Sequence, residues 1–384
     1  MKLANTIGGE NILSRLRTTN QRLIRSDFQN AEEVLRWMGP MQAQDYTGAK
    51  WSMALRAPGL RDRDVEQEIN SGRIIRSWTL RSTLHFVSAS DVRWITRLTK
   101  PIILKIHAGL QAHHGLTEKD LLKGMNALHT ILADGEHITR DEIREHMQKS
   151  GIRTDENRLS YILYRGGAEE ICCFGPRRGK QFTYTSLEKW VPQETLSDET
   201  DSAHRLARIY FRSRGPATQK DFMWWSGFSK NAAGECLEGL KSELMQESVG
   251  GKEFYFFPRN EPLPSQPRSP LILPGFDELL LAYSDRSAFI PHEHKHVISQ
   301  PNGLFSSTVV MKGKAVAVWR RTFKKDRITV EVEPLVNLDR EQMNRIKSAT
   351  AKFAIFHGST LEFKGKLKPS RKINPNNYAQ THNL

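Results

Sequence analysis

Between two helical patterns of this chain stands the run Gln42-Ala43-Gln44-Asp45. Side chains two residues apart in an extended turn can point the same way, so two carboxamides there can hold one water, or one sugar-phosphate oxygen, by donating and accepting at once. Asp45 adds a carboxylate able to serve as a general base. The plainer role of Gln and Asp in a turn is to cap helices, and spacing alone allows either. A second polar set lies in residues 74–87, IIRSWTLRSTLHFV, which alternate like a strand. Thr79, Arg81, Thr83 and His85 share one face and Trp78, Leu80, Leu84 and Phe86 the other. Arg81, Thr83 and His85 are candidate phosphate or substrate contacts near the Gln pair; the alternative is a hydrogen-bonded buried face. A third set, Arg177, Arg178 and Lys180, falls on the tip of a predicted hairpin and suits phosphate contact better than a plain polar turn.

Other clusters carry less. His292-Glu293-His294-Lys295-His296 alternates histidines that an extended segment can bring to one ion, but it reads as a polar loop with no second cluster, so no metal is assigned. Asp277, Asp285 and Arg286 are expected to form a structural ion pair fixing the loop that follows a strand. Trp224 and Trp225 are assigned to a core rather than to a stacking platform.

The elements that position these groups repeat one grammar. A helical pattern over 10–24 precedes a helix from Asn30, whose Glu33 has capping-box spacing and which Gly39-Pro40 stops. Helices to Arg56 and over Asp62–Asn70 follow, then the strand-like segment. A second unit has a helix over 117–133, one capped by Thr139 with Glu142, one from near Thr154, and two strands around the basic tip. A third has a helix over 202–213, one opened by Thr218 with Asp221, one from Ser229 to about Met245, and strands around Gly250-Gly251. Helix, helix, turn, helix, hairpin is winged helix-turn-helix grammar. The expected architecture is α+β: winged-helix units over 1–110, 111–195 and 196–257, a β-rich C-terminal domain over 258–366, and a disordered basic tail over 367–384. Residues 258–270, with five prolines, read as linker or extended edge.

The net charge is +14 over 384 residues. Residues 1–110 hold 17 Lys/Arg against 10 Asp/Glu, and residues 364–384 hold five cations and no acid. Such an excess points to a polyanionic partner, nucleic acid first. Three cysteines, two of them adjacent, exclude a disulfide framework or a four-cysteine zinc site. With no long apolar run and no signal-peptide core, we expect a reduced protein of the cytoplasm, nucleoid-associated and monomeric, with no membrane contact and no cofactor.

Three segments, LRWMGPMQAQDYTGAKWSMALR, RIIRSWTLRSTLHFV and LILPGFDELLLAYSDRS, resemble the winged-helix family of AlkZ/YcaQ-like DNA glycosylases. The strongest marks are the Gln-x-Gln pair, the Thr-Leu-His strand and the Pro-x-Phe-Asp…Asp-Arg segment, and the likeness runs to about residue 366. It implies three tandem winged helices forming a concave DNA-binding body with a β-rich C-terminal part. It also implies that Gln42 and Gln44 match a catalytic Gln-apolar-Gln motif that supports water attack at the sugar C1′ of an alkylated purine nucleotide; some members unhook interstrand crosslinks. Asp45 and Tyr46 after the motif match an uncharacterised branch. An N3- or N7-alkylated purine is cationic and leaves readily, so the enzyme must chiefly place a water and stabilise an oxocarbenium ion. The expectation is a monofunctional glycosylase with Gln42, Gln44 and Asp45 catalytic, and Arg81, Thr83, His85, Arg177, Arg178 and Lys180 on duplex DNA. The alternatives are a non-catalytic regulator or lesion sensor, and a protein-interaction scaffold.

Overall fold

A computed structural model describes residues 12–191, 199–259, 261–265 and 269–379. After α1 (Ile12–Asn20) the first winged helix runs α2 (Ala31–Met38), β1 (Met41–Gln42), α3 (Tyr46–Arg56), α4 (Asp62–Asn70), β2 (Ile74–Thr79) and β3 (Thr83–Ser88). Asn30 caps α2 by accepting from Glu33 N–H, and Glu32 and Glu33 complement the helix dipole. Gly39 ends it at φ +67°; a Cβ there would also meet Ile209 Cγ2 at 2.9 Å, so only glycine fits the approach. The segment 74–87, expected as one alternating stretch, is a hairpin. Leu80 and Ser82 take positive φ (52° and 63°), Ser82 N–H closes on Thr79 O, and Arg81 sits in the turn instead of on a strand.

A long helix, α5 (Ala89–His113), leads to the second unit: α6 (Glu118–Ile131), β4 (Ile138–Thr139), α7 (Arg140–Lys149), α8 (Arg158–Ala168), β5 (Cys172–Arg178), β6 (Gln181–Ser186) and α9 (Leu187–Trp190). The third has α10 (Glu199–Arg214), α11 (Gln219–Ser226), α12 (Lys230–Gly239), β7 (Met245–Val249) and β8 (Lys252–Phe256). The expected capping boxes, Thr139 with Glu142 and Thr218 with Asp221, open α7 and α11. Two helix bounds differ: the third helix of unit two starts at Arg158, and α12 stops six residues before Met245. The C-terminal part contains β9 (Leu271–Leu273), α13 (Glu278–Leu281), α14 (Lys295–Ile298), β10 (Thr308–Met311), β11 (Lys314–Phe323), β12 (Arg327–Pro334), α15 (Arg340–Phe356) and β13 (Thr360–Gly365).

The first two wings fuse into one six-stranded sheet, ordered β1-β3-β2-β5-β6-β4, joined where Arg76 faces Phe174. The C-terminal strands form a second sheet, β13-β12-β11-β10-β9, in which β12 and β13 are parallel. Unit one shares its core with that sheet: Val34, Met41, Trp51 and Phe86 belong to the same cluster as Ile272, Trp319, Val330 and Phe353. Arg56 of α3 pairs with Asp277 at 2.9 Å with both side chains fully buried, and Ser52 adds a 2.5 Å bond. Burial alone would raise the Asp277 carboxyl, but Arg56 and Ser52 outweigh it and hold it below the ordinary carboxylate value. Asp285 pairs with Lys252 instead, and Arg286 makes no ion pair among the described residues, so the three do not fix their loop among themselves.

The tail through residue 379 is ordered, against expectation. Glu333 of β12 accepts from Ser370 N–H and Lys366 Nζ, Ser307 N–H donates to Tyr378 O, and Ile373 and Tyr378 pack on the core. Residues 380–384 lie outside the described residues. Among the described residues no helix is long and apolar enough to cross a membrane. His292–His294 form a short 3-10 turn, and no described group of His, Cys, Asp and Glu is arranged to hold a metal ion.

Candidate active site on the first winged helix

Gln42 lies on β1 directly opposite His85 of β3, and Met41 opposite Phe86. On its other side β3 places His85 opposite Ser77 and Thr83 opposite Thr79 of β2. Facing residues of neighbouring strands share a sheet face, so Gln42, His85, Ser77, Thr83 and Thr79 form one polar face. Met41, Phe86, Arg76, Leu84 and Trp78 form the other.

The chain leaves the sheet at Ala43 by an exchange of acceptors. Ala43 N–H donates to Leu84 O at 2.7 Å. The reciprocal acceptor, Ala43 O, is taken by Arg76 Nε and Nη2 at 3.3 and 3.0 Å. Leu84 N–H is satisfied by Gln44 Oε1 at 3.3 Å instead. That bond orients the Gln44 amide and leaves its NH2 as the end that can meet a ligand. Arg76 is 1% exposed, and among the described residues no carboxylate reaches ion-pair distance. Its guanidinium lies 4.4, 4.7 and 5.5 Å from the rings of Phe182, Phe174 and Tyr46, and burial lowers its pKa to about 10.

Two other units pin the approach to the motif. Glu278 Oε1 of α13 accepts from Gln42 N–H at 3.2 Å. Its Oε2 accepts from Arg214 Nε and Nη2 of α10 (3.0 and 2.6 Å) and from Trp225 Nε1 of α11 (3.1 Å). Arg214 also donates to the carbonyls of Met38 and Pro40. The Gln pair is thus fixed where the first unit, the third unit and the C-terminal part meet.

The polar face is incompletely satisfied. Gln42 Oε1, Thr79 Oγ1 and Thr83 Oγ1 are buried and make no hydrogen bond. Buried polar atoms are paired in nearly all folded proteins, so three orphans on one face single it out as the candidate place for water or substrate oxygens. His85 is 2% exposed, and its Nδ1 lies 2.9 Å from Thr83 O. A carbonyl can only accept, so Nδ1 carries the proton and Nε2 presents a lone pair. Burial first, then Arg81 and Arg214, push the imidazole down to about 3 against the weaker opposing pull of Thr83 O, so it is neutral at physiological pH.

At the rim Arg81 donates to Trp224 O and sits 5.2 Å from the Trp224 ring; Arg286 sits 5.0 Å from the same ring. Neither arginine has a carboxylate partner among the described residues, and Arg286 Nη2 is buried without a hydrogen bond. Trp225 is core, as expected, but Trp224 is 42% exposed, an indole between two cations beside the polar face. Sequence reasoning missed Trp224, Glu278, Arg214 and Arg76. The adjacent tryptophans were a usable signal, because neighbours on a helix point about 100° apart and one of them tends to face outward.

Asp45 is not a free base. Its carboxylate caps α3 by accepting from Gly48 N–H at 3.0 Å, and both oxygens lie 2.6 Å from Arg321 Nη2 of β11, with 1% of the side chain exposed. The basic hairpin tip departs from expectation too. Arg177 pairs with Glu66 at 3.0 Å and lies over Tyr46, on the Arg76 side of the sheet; Arg178 pairs with Glu142 at 2.6 Å. Lys180 has no ion-pair partner among the described residues, and lines a cavity of about 680 Å³ with Tyr46, Arg140 and Phe182. The structure therefore groups Gln42, Gln44, Thr83, His85 and Arg81, and sets Arg177, Arg178 and Lys180 apart from them.

A winged helix with a Gln-x-Gln pair running off the end of its first strand, set in an α+β body of winged-helix units, places the chain with the DNA glycosylases of the tandem winged-helix class. The chain belongs to the AlkZ-like DNA glycosylase family, which its residues 35–356 match. It is 24% identical over 308 residues to the interstrand DNA cross-link repair glycosylase of Streptomyces sahachiroi, covering 76% of this chain and 82% of that protein. The solved structure of Streptomyces sahachiroi DNA glycosylase AlkZ has the same fold, with a TM-score of 0.77 and 21% identity over 95% of this chain and 100% of that one.

Proposed function

We propose that Gln42, Gln44 and His85 hold the water that hydrolyses the N-glycosidic bond of an alkylated purine in duplex DNA, bulky and cross-linked adducts included. The observation that carries this reading is the buried, unpartnered Gln42 Oε1 opposite the neutral His85. A water there donates to Gln42 Oε1 and to His85 Nε2 and accepts from the Gln44 NH2. Its remaining lone pair is free to attack C1′. As the C1′–O bond forms, the C1′–N bond breaks and its electron pair neutralises the cationic base. The water acidifies once bonded to C1′, so its proton can pass to solvent without a strong base, and Asp45 has no part in the step. The name of the Streptomyces relative supports cross-linked duplexes as substrates. Arg81 and Thr83 contact the damaged strand, and the protein works as a monomer in the cytoplasm, on the nucleoid.

The test is alkali-revealed strand cleavage of duplexes bearing N7-methylguanine, N3-methyladenine or a bulky N7 adduct. Wild type should cleave at least one, and Gln42→Ala/Gln44→Ala should cleave it far more slowly. Equal cleavage by the two proteins on every adduct would falsify the assignment.

A further inference from the structure

Away from the Gln pair, positive charge gathers where α1, α2, α10 and the segment after β8 meet. Arg22, Arg212 and Arg259 line a cavity of about 250 Å³ together with Asn20, Trp37 and Glu261. The guanidinium carbons of Arg22 and Arg212 lie 4.3 and 4.6 Å from the centre of the Trp37 ring. Trp37 is itself fixed, its Nε1 donating to Asn20 O at 2.8 Å. Arg259 is steered toward the cavity by a 2.8 Å bond to Asn20 Oδ1.

Nothing in the described residues balances these cations. The Nε atoms of Arg22 and Arg212 are buried without hydrogen bonds, and no carboxylate comes within ion-pair distance of either. Glu261, the one acid in the lining, pairs with none of the three. Burial, Arg22 and Arg208 all work against the charge on Arg212. Arg22 closes α1 at φ +58°, with Arg22 N–H on Thr19 O and Leu23 N–H on Thr18 O. Glycine usually fills that left-handed position, because a side chain there is strained. The positive φ at Arg22 turns the chain at the end of α1, next to the wall of the cavity that Arg22 shares with Arg212 and Arg259.

We propose that this cavity binds one phosphate group. A phosphate offers several acceptor oxygens to guanidinium forks and relieves the mutual repulsion of the arginines. In a DNA glycosylase the phosphate is a backbone diester of the bound duplex, held independently of the roles given to Gln42 and Gln44; free phosphate is the other source of the same chemistry.

The experiment uses the full chain and the variant Arg22→Gln/Arg212→Gln, which keeps side-chain stems against Trp37. Binding to an undamaged duplex is measured by fluorescence anisotropy across a salt series. Loss of one phosphate contact should lower the slope of log K against log salt by about 0.9. Lys347→Gln/Lys352→Gln, which removes the same charge from exposed positions of α15, should change it less. In parallel, melting temperature is followed with inorganic phosphate at constant ionic strength. A reduced slope in the Arg variant identifies the DNA diester as the ligand. An unchanged slope, with phosphate stabilising wild type but not the variant, identifies free phosphate. If both readouts match wild type, the proposal is wrong. Arg22→Lys/Arg212→Lys keeps the charge, and partial recovery of the lost readout would tie it to the site where the Gln variant proves poorly folded.

Discussion

The first and second winged helices run through the same elements, and the short strand before the second helix pairs alike in both. Met41 and Gln42 face Phe86 and His85; Ile138 and Thr139 face Tyr184 and Thr183. Yet the two positions are used differently. In unit two the helix starts at once, and Thr139 is consumed as its cap: its Oγ1 accepts from Glu142 N–H, while Glu142 Oε2 takes the Thr139 N–H at 2.7 Å. Thr183 is closed as well, its hydroxyl donating to Pro176 O at 2.6 Å. In unit three, too, the cap Thr218 directly follows the strand-like residue Ala217. In unit one Ala43, Gln44 and Asp45 intervene, Asp45 takes over capping, and Gln42 is left with an unpaired oxygen opposite a neutral histidine. The site arises on a common scaffold by moving the cap three residues downstream.

The sharpest way to break this comparison is to remove the displaced cap. Asp45→Ala loses the α3 cap and removes the carboxylate paired with Arg321, whose side chain is 3% exposed. Breaking a buried pair from one side costs about 3–5 kcal/mol, and urea unfolding should show a loss of that order. A loss under about 1 kcal/mol, no more than an ordinary cap, would mean Asp45 is as simple a cap as Thr139. Next comes Gln42→Ala/Gln44→Ala. Groups that place and polarise a reactant contribute about 100- to 1000-fold, so single-turnover excision should fall by that factor while duplex affinity holds. A fall in affinity that accounts for the whole rate loss would make the pair a binding element instead.

How much of this was readable beforehand depended on how far apart the partners lie. The capping boxes at Thr139 and Thr218 act within four residues and could be seen, as could the repeated unit. The turn at Leu80-Arg81-Ser82 carries no Gly, Pro, Asn or Asp, and is held by Thr99 of α5, whose Oγ1 accepts from Leu80 N–H, so the strand seemed continuous. The capping role of Asp45 is legible locally, three residues from Gly48 N–H, but Arg321 lies 276 residues away. Likewise the charge of Arg177 is spent on Glu66, 111 residues upstream. Composition gave the polyanionic partner; pairing decided which cations are left to meet it.

A smaller effect separates a neutral histidine from a titrating one. Burial depresses His85 from 6.5 to about 3, so below the ordinary value the unfolded chain binds a proton that the folded one refuses. Its contribution to stability is complete above about pH 6.5 and is lost as pH falls toward 3, at up to about 1.4 kcal/mol per pH unit. His85→Gln should flatten the acid side of the stability profile by one proton. In wild type, excision should stay level from about pH 5.5 to 8, since His85 does not titrate there. A rate limb near the ordinary histidine value that His85→Gln abolishes would instead make it a general base.

The smallest effect is expected from Thr139→Ala, the unit-two counterpart of a Gln42 change. Its side chain closes a reciprocal box with Glu142, partly exposed to solvent, and losing such a cap costs about 1 kcal/mol. The Glu142 carboxyl, held down to about 2 first by the Thr139 N–H, then by the Thr139 hydroxyl and Arg178, should rise only in part, because the N–H and Arg178 remain, and two-dimensional NMR titration can follow the rise. Excision should keep its wild-type rate, because the Thr139 hydroxyl is already engaged with Glu142 and lies on the cavity side of unit two, away from the Gln pair. A rate loss like that of the Gln42→Ala/Gln44→Ala variant, at unchanged stability, would show that the strand of unit two also reaches the reacting nucleotide, and that moving the cap is not what distinguishes unit one.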